Sequence, residues 1–573
     1  MRFFIFRTVV TLGLGVLGLG LFRTQVIEGR RFRSLSEQNR IRLIPLEAPR
    51  GRVFDRKGNL LATNRPSYDL AATPEDVTPE VFSRLARLLH LPENEIRRRM
   101  SEPREYPFAP VLIQEDIPRE LVFQIEERRP ELPGVAIQLS FLRYYPYEKT
   151  ASHLIGYIGK ISPEEYKALD RQRFGMNSLI GRSGIEKIYD DKLRGWRGGR
   201  QLEVNARGEE IRLISEKQPE AGEDLTVTLD LEFQKKIMEM IEGKHASVAV
   251  LDLETEGLIA LASSPAYDPN VFVSPGKGRE RLGFLRDRDA PLLDRGVGSA
   301  YPPGSVFKLV TALAALETGK INPNTRFYCP SYFRLKPNSR TYHCWNEKGH
   351  GSLNLYEALE RSCNVYFYNL GARLSPEEIA RYARELGLGE SMRLETTAVA
   401  PGLVPDAAWK KGKFHEPWYQ GETLSFAIGQ SYLLVSPLQI MRLTAIIAKD
   451  GRRVEPHILY EGNREKNPEE PKIAIHEENL KVIRRAMLRV VQSDYGTGQL
   501  ARVDFGKLAA KTGTAQVPPK IAHGWITGFF PYEMPEIAFV VFVEHGGSGG
   551  IVGSRIVKDM LQVWKEMRDA KVA

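Results

Sequence analysis

With 573 residues the chain is too long for one hydrophobic core, and two to four domains are expected. A charged fraction of 27% and a net charge of +9 suit a folded chain near an anionic surface, but no nucleic-acid motif accompanies that charge. Three cysteines cannot all pair within the chain, which excludes a disulfide framework.

Residues 1–24 read as a membrane anchor. Residues 8–22 are apolar or small without a charge, and Phe3 to Phe6 extend them across Arg7 to about twenty residues, the length of a span. The basic start resembles a signal peptide, but residues 21–29 offer no Ala-x-Ala-like cleavage site. An uncleaved single span is therefore expected, with Arg7 reaching toward the head groups. Arg23, Arg30, Arg31 and Arg33 follow it, and charge alone would put them in the cytoplasm. Gly13, Gly15, Gly18 and Gly20 could admit a close partner helix.

Residues 25–219 are Arg-rich and mixed in period, which predicts a spacer or docking domain. Residues 50–62 read as two short strands around a Lys57-Gly58-Asn59 turn. Helices are expected over 79–91, capped by Thr78, over 93–99, over 119–127 and after Gly184. A boundary is expected at 218–222, followed by a strand over 224–229.

Residues 220–573 form the second large unit. Residues 246–253 and 257–263 flank Glu254-Thr255-Glu256 as a tight hairpin. Helical patterns occupy 305–317, 355–361, 376–386, 436–449 and 478–492. Strands return over 507–516, 526–530 and 537–544, and a helix closes the chain over 554–567. Strands at both ends with helices between predict an α+β fold, one antiparallel sheet flanked by helices. No internal repeat or low-complexity tract is present.

Three pieces of this unit carry chemistry. Ser305 and Lys308 stand three apart at the start of an Ala/Leu-rich helix, so they share a face. An amine held in a dry pocket can activate a serine hydroxyl, and the helix N-terminus favours the alkoxide. Ser-x-x-Lys alone is weak, and Ser274-Pro275-Gly276-Lys277 is a decoy that its proline and glycine rule out as a helical face. Ser362-Cys363-Asn364 ends a helix-like run and offers a hydroxyl and an amide at alternate positions. Ser352-Leu353-Asn354 is explained by helix capping. Lys511-Thr512-Gly513-Thr514 lies on a strand, with Lys511 and Gly513 on one face and Thr512 on the other. Gly513 would let a substrate backbone lie close.

Together, Ser305-Val306-Phe307-Lys308, Ser362-Cys363-Asn364 and Lys511-Thr512-Gly513 resemble the triple motif of the penicillin-recognising serine acyltransferases. The anchor, the stretch from Arg50-Gly51-Arg52 to Gly58, and Gly184-Ile185-Glu186-Lys187 are similar to the pedestal of the class B penicillin-binding proteins. Within that family the chain most resembles the penicillin-binding protein 2 group, the elongation-specific D,D-transpeptidases. Tyr301-Pro302-Pro303-Gly304, Ser436-Pro437-Leu438-Gln439 and His523-Gly524-Trp525 match as well. One departure is Gly429-Gln430-Ser431, where the family usually has a second glycine.

The resemblance implies Ser305 as nucleophile and Lys308 as its base. It implies that Ser362 relays a proton to the leaving amine and that Asn364 holds the substrate amide. Lys511 would supply positive field for the substrate carboxylate, with Thr512 and Thr514 as hydrogen-bond partners. The backbone N–H groups of Ser305 and Thr514 would form the oxyanion hole. The implied donor is a peptidoglycan stem ending in D-Ala-D-Ala, and β-lactams would acylate the same serine. The implied partner is a polytopic membrane glycosyltransferase of the shape, elongation, division and sporulation family, docking on the anchor and residues 30–64. Such chemistry lies outside the cytoplasmic membrane, which outweighs the arginine count. Competing readings are a β-lactam sensor or β-lactamase, and a catalytically idle scaffold.

All three cysteines fall within 329–363, with His343 and His350 among them. A Cys329–Cys344 disulfide, three buried thiols and a zinc site all fit this spacing. Zinc is our expectation, held by Cys329, Cys344, His350 and Cys363 as a closed structural set. His350 is preferred to His343, which adjoins Cys344. If Ser362 and Asn364 face the cleft, an extended stretch is expected to point Cys363 the opposite way, into the body of the domain. Some members of the resembled group are thought to carry a metal at the equivalent place, with mixed carboxylate ligands.

Overall fold

The structure is a computed structural model that describes residues 2–30, 41–102, 104, 109–170, 173–204, 210–392, 394–395, 399–460 and 472–572. Arg31, Arg33 and the 31–40 part of the expected docking segment lie outside the described residues.

An N-terminal helix, Arg2–Phe22, is 21 residues long and spans about 32 Å at 1.5 Å per residue, which matches a bilayer core of about 30 Å. Residues 3–27 are all exposed, so this stretch is not buried against any other of the described residues. The hydroxyls of Thr8 and Thr11 donate back to the carbonyls of Phe4 and Arg7, so the helix satisfies its own polar groups.

In the pedestal, Leu60–Ala72 pairs with Val53–Phe54, Val111–Gln114 and Val135–Tyr144. The expected turn at 57–59 is present, and Asp55 fixes it by accepting from the backbone of Lys57 and Asn59. The expected strand over 224–229 shrinks to Leu225–Thr226, which runs parallel to Val53–Phe54. The helices come out as Pro79–Leu89, Glu93–Met100 and Arg119–Glu127, although the Thr78 hydroxyl makes no capping bond.

The two stretches that resembled a family pedestal meet in one buried ion cluster. Glu186 accepts from Arg50 Nε and Arg143 Nε, both at 2.6 Å, and Asp190 lies 2.8 Å from the Arg50 guanidinium. Burial opposes the Glu186 charge, but Arg143 and Arg50 outweigh it and lower its carboxyl. Gly51 belongs here because a Cβ would sit 1.9 Å from the carbonyl oxygen of Glu223.

The second large unit is built on a five-stranded antiparallel sheet of β1 (Ala246–Asp252), β2 (Leu258–Ser264), β3 (Ala509–Val517), β4 (Lys520–Phe530) and β5 (Ile537–Val543), in the order β2-β1-β5-β4-β3. Every residue of β5 is buried, as expected of a strand covered on both faces. Helix α1 (Lys308–Glu317), α2 (Leu355–Glu360), α3 (Asn364–Gly371), α4 (Pro437–Ala448) and α5 (Glu477–Gln492) lie in the core that holds Val540 and Phe542. Ile556, Val557, Met560 and Leu561 of α6 (Val552–Val572) cover the opposite face with Val541 and Phe539. This is the expected α+β arrangement. The core does not stop at residue 220: Val53, Leu61, Leu154 and Ile185 belong to the same buried cluster as Leu229, Val306 and Phe307.

Candidate active site

Ser305 lies in a 3-10 turn, Gly304–Phe307, that becomes α1 at Lys308. Residues three apart eclipse in that geometry, so the two side chains align on one face. Close backbone approaches build the turn. Gly304 has φ +55°, and a Cβ there would sit 2.6 Å from the carbonyl oxygen of Thr514. A Cβ on Gly513 would meet Val306 and the Pro303 carbonyl at 3.0 and 3.1 Å. The bare face of Gly513 therefore packs the strand onto the Ser305 turn, where substrate backbone was expected.

Ser362 and Asn364 reach the same point differently from expectation. An extended stretch was expected, but Ser362 has φ +53°, and α3 begins at Asn364. This left-handed turn still sends Cys363 away, fully buried, between its two neighbours.

Lys308 and Lys511 are both fully buried and converge on Ser362. Lys308 Nζ donates to Ser362 O at 2.8 Å, Asn364 Oδ1 at 2.7 Å and Ser362 Oγ at 3.3 Å. Lys511 Nζ donates to Ser362 Oγ at 3.1 Å and Thr512 O at 2.8 Å. With two amines on its lone pairs, the Ser362 hydroxyl keeps its own hydrogen to donate. Burial lowers Lys308 to about 8, against the opposing effect of Cys344 and Cys363. Burial, then the nearby Lys308, hold Lys511 well below an ordinary lysine.

The remaining site residues divide. Thr514 is exposed. Thr512 is buried, with its hydroxyl 2.6 Å from that of Thr497, so it is tied to the loop after α5 rather than open to the groove. Asn364 spends its oxygen on Lys308, and its Nδ2 donates to His343 O at 3.4 Å. Thr497 and Trp345 escaped the sequence reading. Trp345 Nε1 donates to the carbonyls of Arg361 and Ser362, and neither residue belongs to a pattern that spacing can reveal.

Behind Ser362, one ligand atom from each of Cys329, Cys344, His350 and Cys363 lies within 4.8 Å of the others. His350 Nδ1 is 3.6 Å from Cys329 Sγ and 3.5 Å from Cys344 Sγ. The three thiols are free, so no disulfide joins them. Gly349, at φ +74°, lets this loop close, because a Cβ would sit 2.4 Å from the Cys329 carbonyl oxygen. Bonds from Cys329 and Cys363 hold the Cys344 thiol far down. His350 rises to about 9, burial being outweighed by its bonds to Cys329 and Cys344.

The family described as "Penicillin binding protein transpeptidase domain" matches residues 246–562, and "Penicillin-binding Protein dimerisation domain" matches 45–227. Peptidoglycan D,D-transpeptidase MrdA of Escherichia coli (strain K12) is 32% identical over 571 residues, covering 94% of this chain and 90% of that protein. The structure of a complex between penicillin-binding protein 2 and MreC from Helicobacter pylori aligns with a TM-score of 0.81 at 29% identity, over 92% of this chain and 99% of that one. A structure described as "Structural coordination of polymerization and crosslinking by a peptidoglycan synthase complex" aligns with a TM-score of 0.73 at 31% identity, over 98% and 97%. Two matched regions in this order, with near-complete coverage by a relative of that identity, leave one assignment: the chain belongs to the class B penicillin-binding proteins, in the penicillin-binding protein 2 group of peptidoglycan D,D-transpeptidases.

Proposed function

We propose that Ser305 carries the acyl group in a serine-type transpeptidation that cross-links peptidoglycan stems during wall elongation. Neutral Lys308 accepts the Ser305 hydroxyl proton as Oγ bonds to the carbonyl carbon of the penultimate D-Ala. The backbone N–H groups of Ser305 and Thr514 are assigned to the oxyanion, each such donor being worth about 3 kcal/mol in the transition state. As the C–N bond breaks, the leaving D-Ala nitrogen takes a proton from Ser362 Oγ, which recovers it from Lys308. An amine from a neighbouring stem then attacks the ester, loses its proton through the same relay, and Ser305 departs as the hydroxyl. Lys511 orients Ser362 and adds field for the terminal carboxylate, with Thr514 as the exposed hydroxyl beside it.

The observation that carries this reading is the Ser362 hydroxyl held between two fully buried lysine amines. Such a cluster costs stability and is expected where proton transfer needs it. Mass spectrometry after incubation with a labelled penicillin tests it. A long-lived adduct on Ser305, absent in Ser305→Ala, is expected. Rapid turnover would point to a hydrolase, and no adduct to an idle scaffold.

Zinc fits the Cys329, Cys344, His350 and Cys363 set, whose donors are three sulfurs and one imidazole nitrogen around a loop that glycine alone can close. When bound, it would be structural, pinning loop 329–350 to Cys363 behind Ser362. Metal analysis of the purified chain tests this, and less than about a quarter equivalent of zinc would discard it.

The apolar N-terminal helix fits a single-pass anchor. We place the catalytic unit on its extracytoplasmic side, where the stem peptides are. The partner we propose is the polytopic glycosyltransferase, docked on the anchor and residues 30–64. The relatives described with MreC and as a peptidoglycan synthase complex support wall-synthesis partners in general.

A further inference from the structure

Trp345 belongs to the candidate metal loop and reaches from it to the second motif. Its indole nitrogen donates to Arg361 O at 3.1 Å and Ser362 O at 3.2 Å. The residue is 59% exposed, and its ring centroid lies 5.3 Å from that of His350. This exposure makes burial an incomplete account of why the ring is there.

The carbonyl it holds is the one Lys308 uses. Ser362 O accepts from Lys308 Nζ at 2.8 Å and from Trp345 Nε1, so both lone pairs of one oxygen are engaged. That carbonyl belongs to a residue at φ +53°, a backbone state that persists in a non-glycine residue only when its surroundings fix it. The same loop meets the second motif again where Asn364 Nδ2 and the Tyr368 hydroxyl both donate to His343 O at 3.4 Å. Lys308 thus takes its direction from three acceptors, Ser362 O, Asn364 Oδ1 and the more distant Ser362 Oγ. Loop 329–350 touches the first through Trp345 Nε1, and the Asn364 side chain through its Nδ2.

We propose that Trp345 is a positioning residue, whose indole N–H fixes the left-handed Ser362 carbonyl and through it aims the Lys308 amine at Ser305. This rests on the role given to Lys308 above. Trp345 touches no reacting atom, so its loss leaves the machinery present but poorly aimed. The bond-making step then slows while ligand affinity stays the same.

The test uses the full-length chain, a fluorescent penicillin, and separation of the noncovalent dissociation constant from the acylation rate constant. Trp345→Phe keeps a ring and deletes the donor, and Trp345→Ala deletes both. Both are expected to lower the acylation rate constant about fivefold to tenfold, the scale of one lost hydrogen bond, with the dissociation constant within about twofold. Melting temperature and bound metal are expected to match the wild type. Three results overturn the proposal: an acylation rate in Trp345→Phe within about twofold of wild type, a defect confined to Trp345→Ala, or a rate loss that tracks loss of metal or fold. A wild-type chain without an adduct on Ser305 would instead defeat the catalytic reading on which the proposal rests.

Discussion

Acylation of Ser305 by a β-lactam should rise about tenfold between pH 7 and pH 9 and then level off. Burial lowers the Lys308 amine to about 8. Only the neutral amine can accept the Ser305 proton, and at that value it is about 9% neutral at pH 7 and about 90% at pH 9. A lysine at its ordinary 10.5 would instead drive a climb of about a hundredfold over the same interval, with no plateau. Stopped-flow measurement of the acylation rate constant at saturating penicillin, from pH 6 to 10, separates the two. A flat profile, or one still climbing past pH 9.5, would refute the assignment of Lys308 as base. Lys308→Ala should lose roughly a hundredfold or more in rate, together with the pH dependence. Stability carries the same signature. The folded state disfavours the charged amine, so between about 8 and 10.5 the unfolded chain binds more protons and this group's contribution to stability rises with pH. Below that window its burial costs about 3 kcal/mol.

Glu186→Ala would leave Arg50 and Arg143 buried without their shared carboxylate and should cost roughly 3–5 kcal/mol, read as a large fall in the unfolding midpoint. A loss below about 1 kcal/mol would mean that the cluster does not hold the pedestal together. Ser431 sits at φ +72°, so Ser431→Gly should gain about 1 kcal/mol, and an unchanged or lower melting temperature would contradict the strain. On the zinc proposal, Gly349→Ala should drop bound zinc well below the wild-type level, because its methyl would collide with the Cys329 carbonyl. Full retention of zinc would count against the loop as the metal's cradle.

The three motifs to which we assign catalysis were legible because each is local: a helix start, a helix end and a strand, each with its own short spacing. What joins them was not. The Ser362 carbonyl, in its left-handed turn, accepts from Trp345 and Lys308, which lie 17 and 54 residues away. The Thr512–Thr497 bond likewise requires knowing that the loop after α5 folds against β3. Helix α3 was missed because Val365, Tyr366, Phe367 and Tyr368 are buried all round, which erases the periodicity an amphipathic helix shows. The helix Leu231–Ile241 did carry signals, an Asp230 cap and apolar residues at Leu231, Ile237 and Ile241, that went unread. The departure at Ser431 was visible as a missing glycine, but its strain becomes apparent only from the backbone.

The buried cluster that runs from Val53 and Ile185 to Val306 and Phe307 joins two regions that match two separate families. Descent can shuffle such regions, but unfolding cannot separate these two cheaply. Cutting between them would wet apolar side chains on both sides, including Val306 and Phe307 of the turn that carries Ser305. The two units are thus expected to exchange their slowest amide hydrogens together, as one cooperative body. A protease that nicks the pedestal surface would have to wait for global opening before the catalytic half gave way.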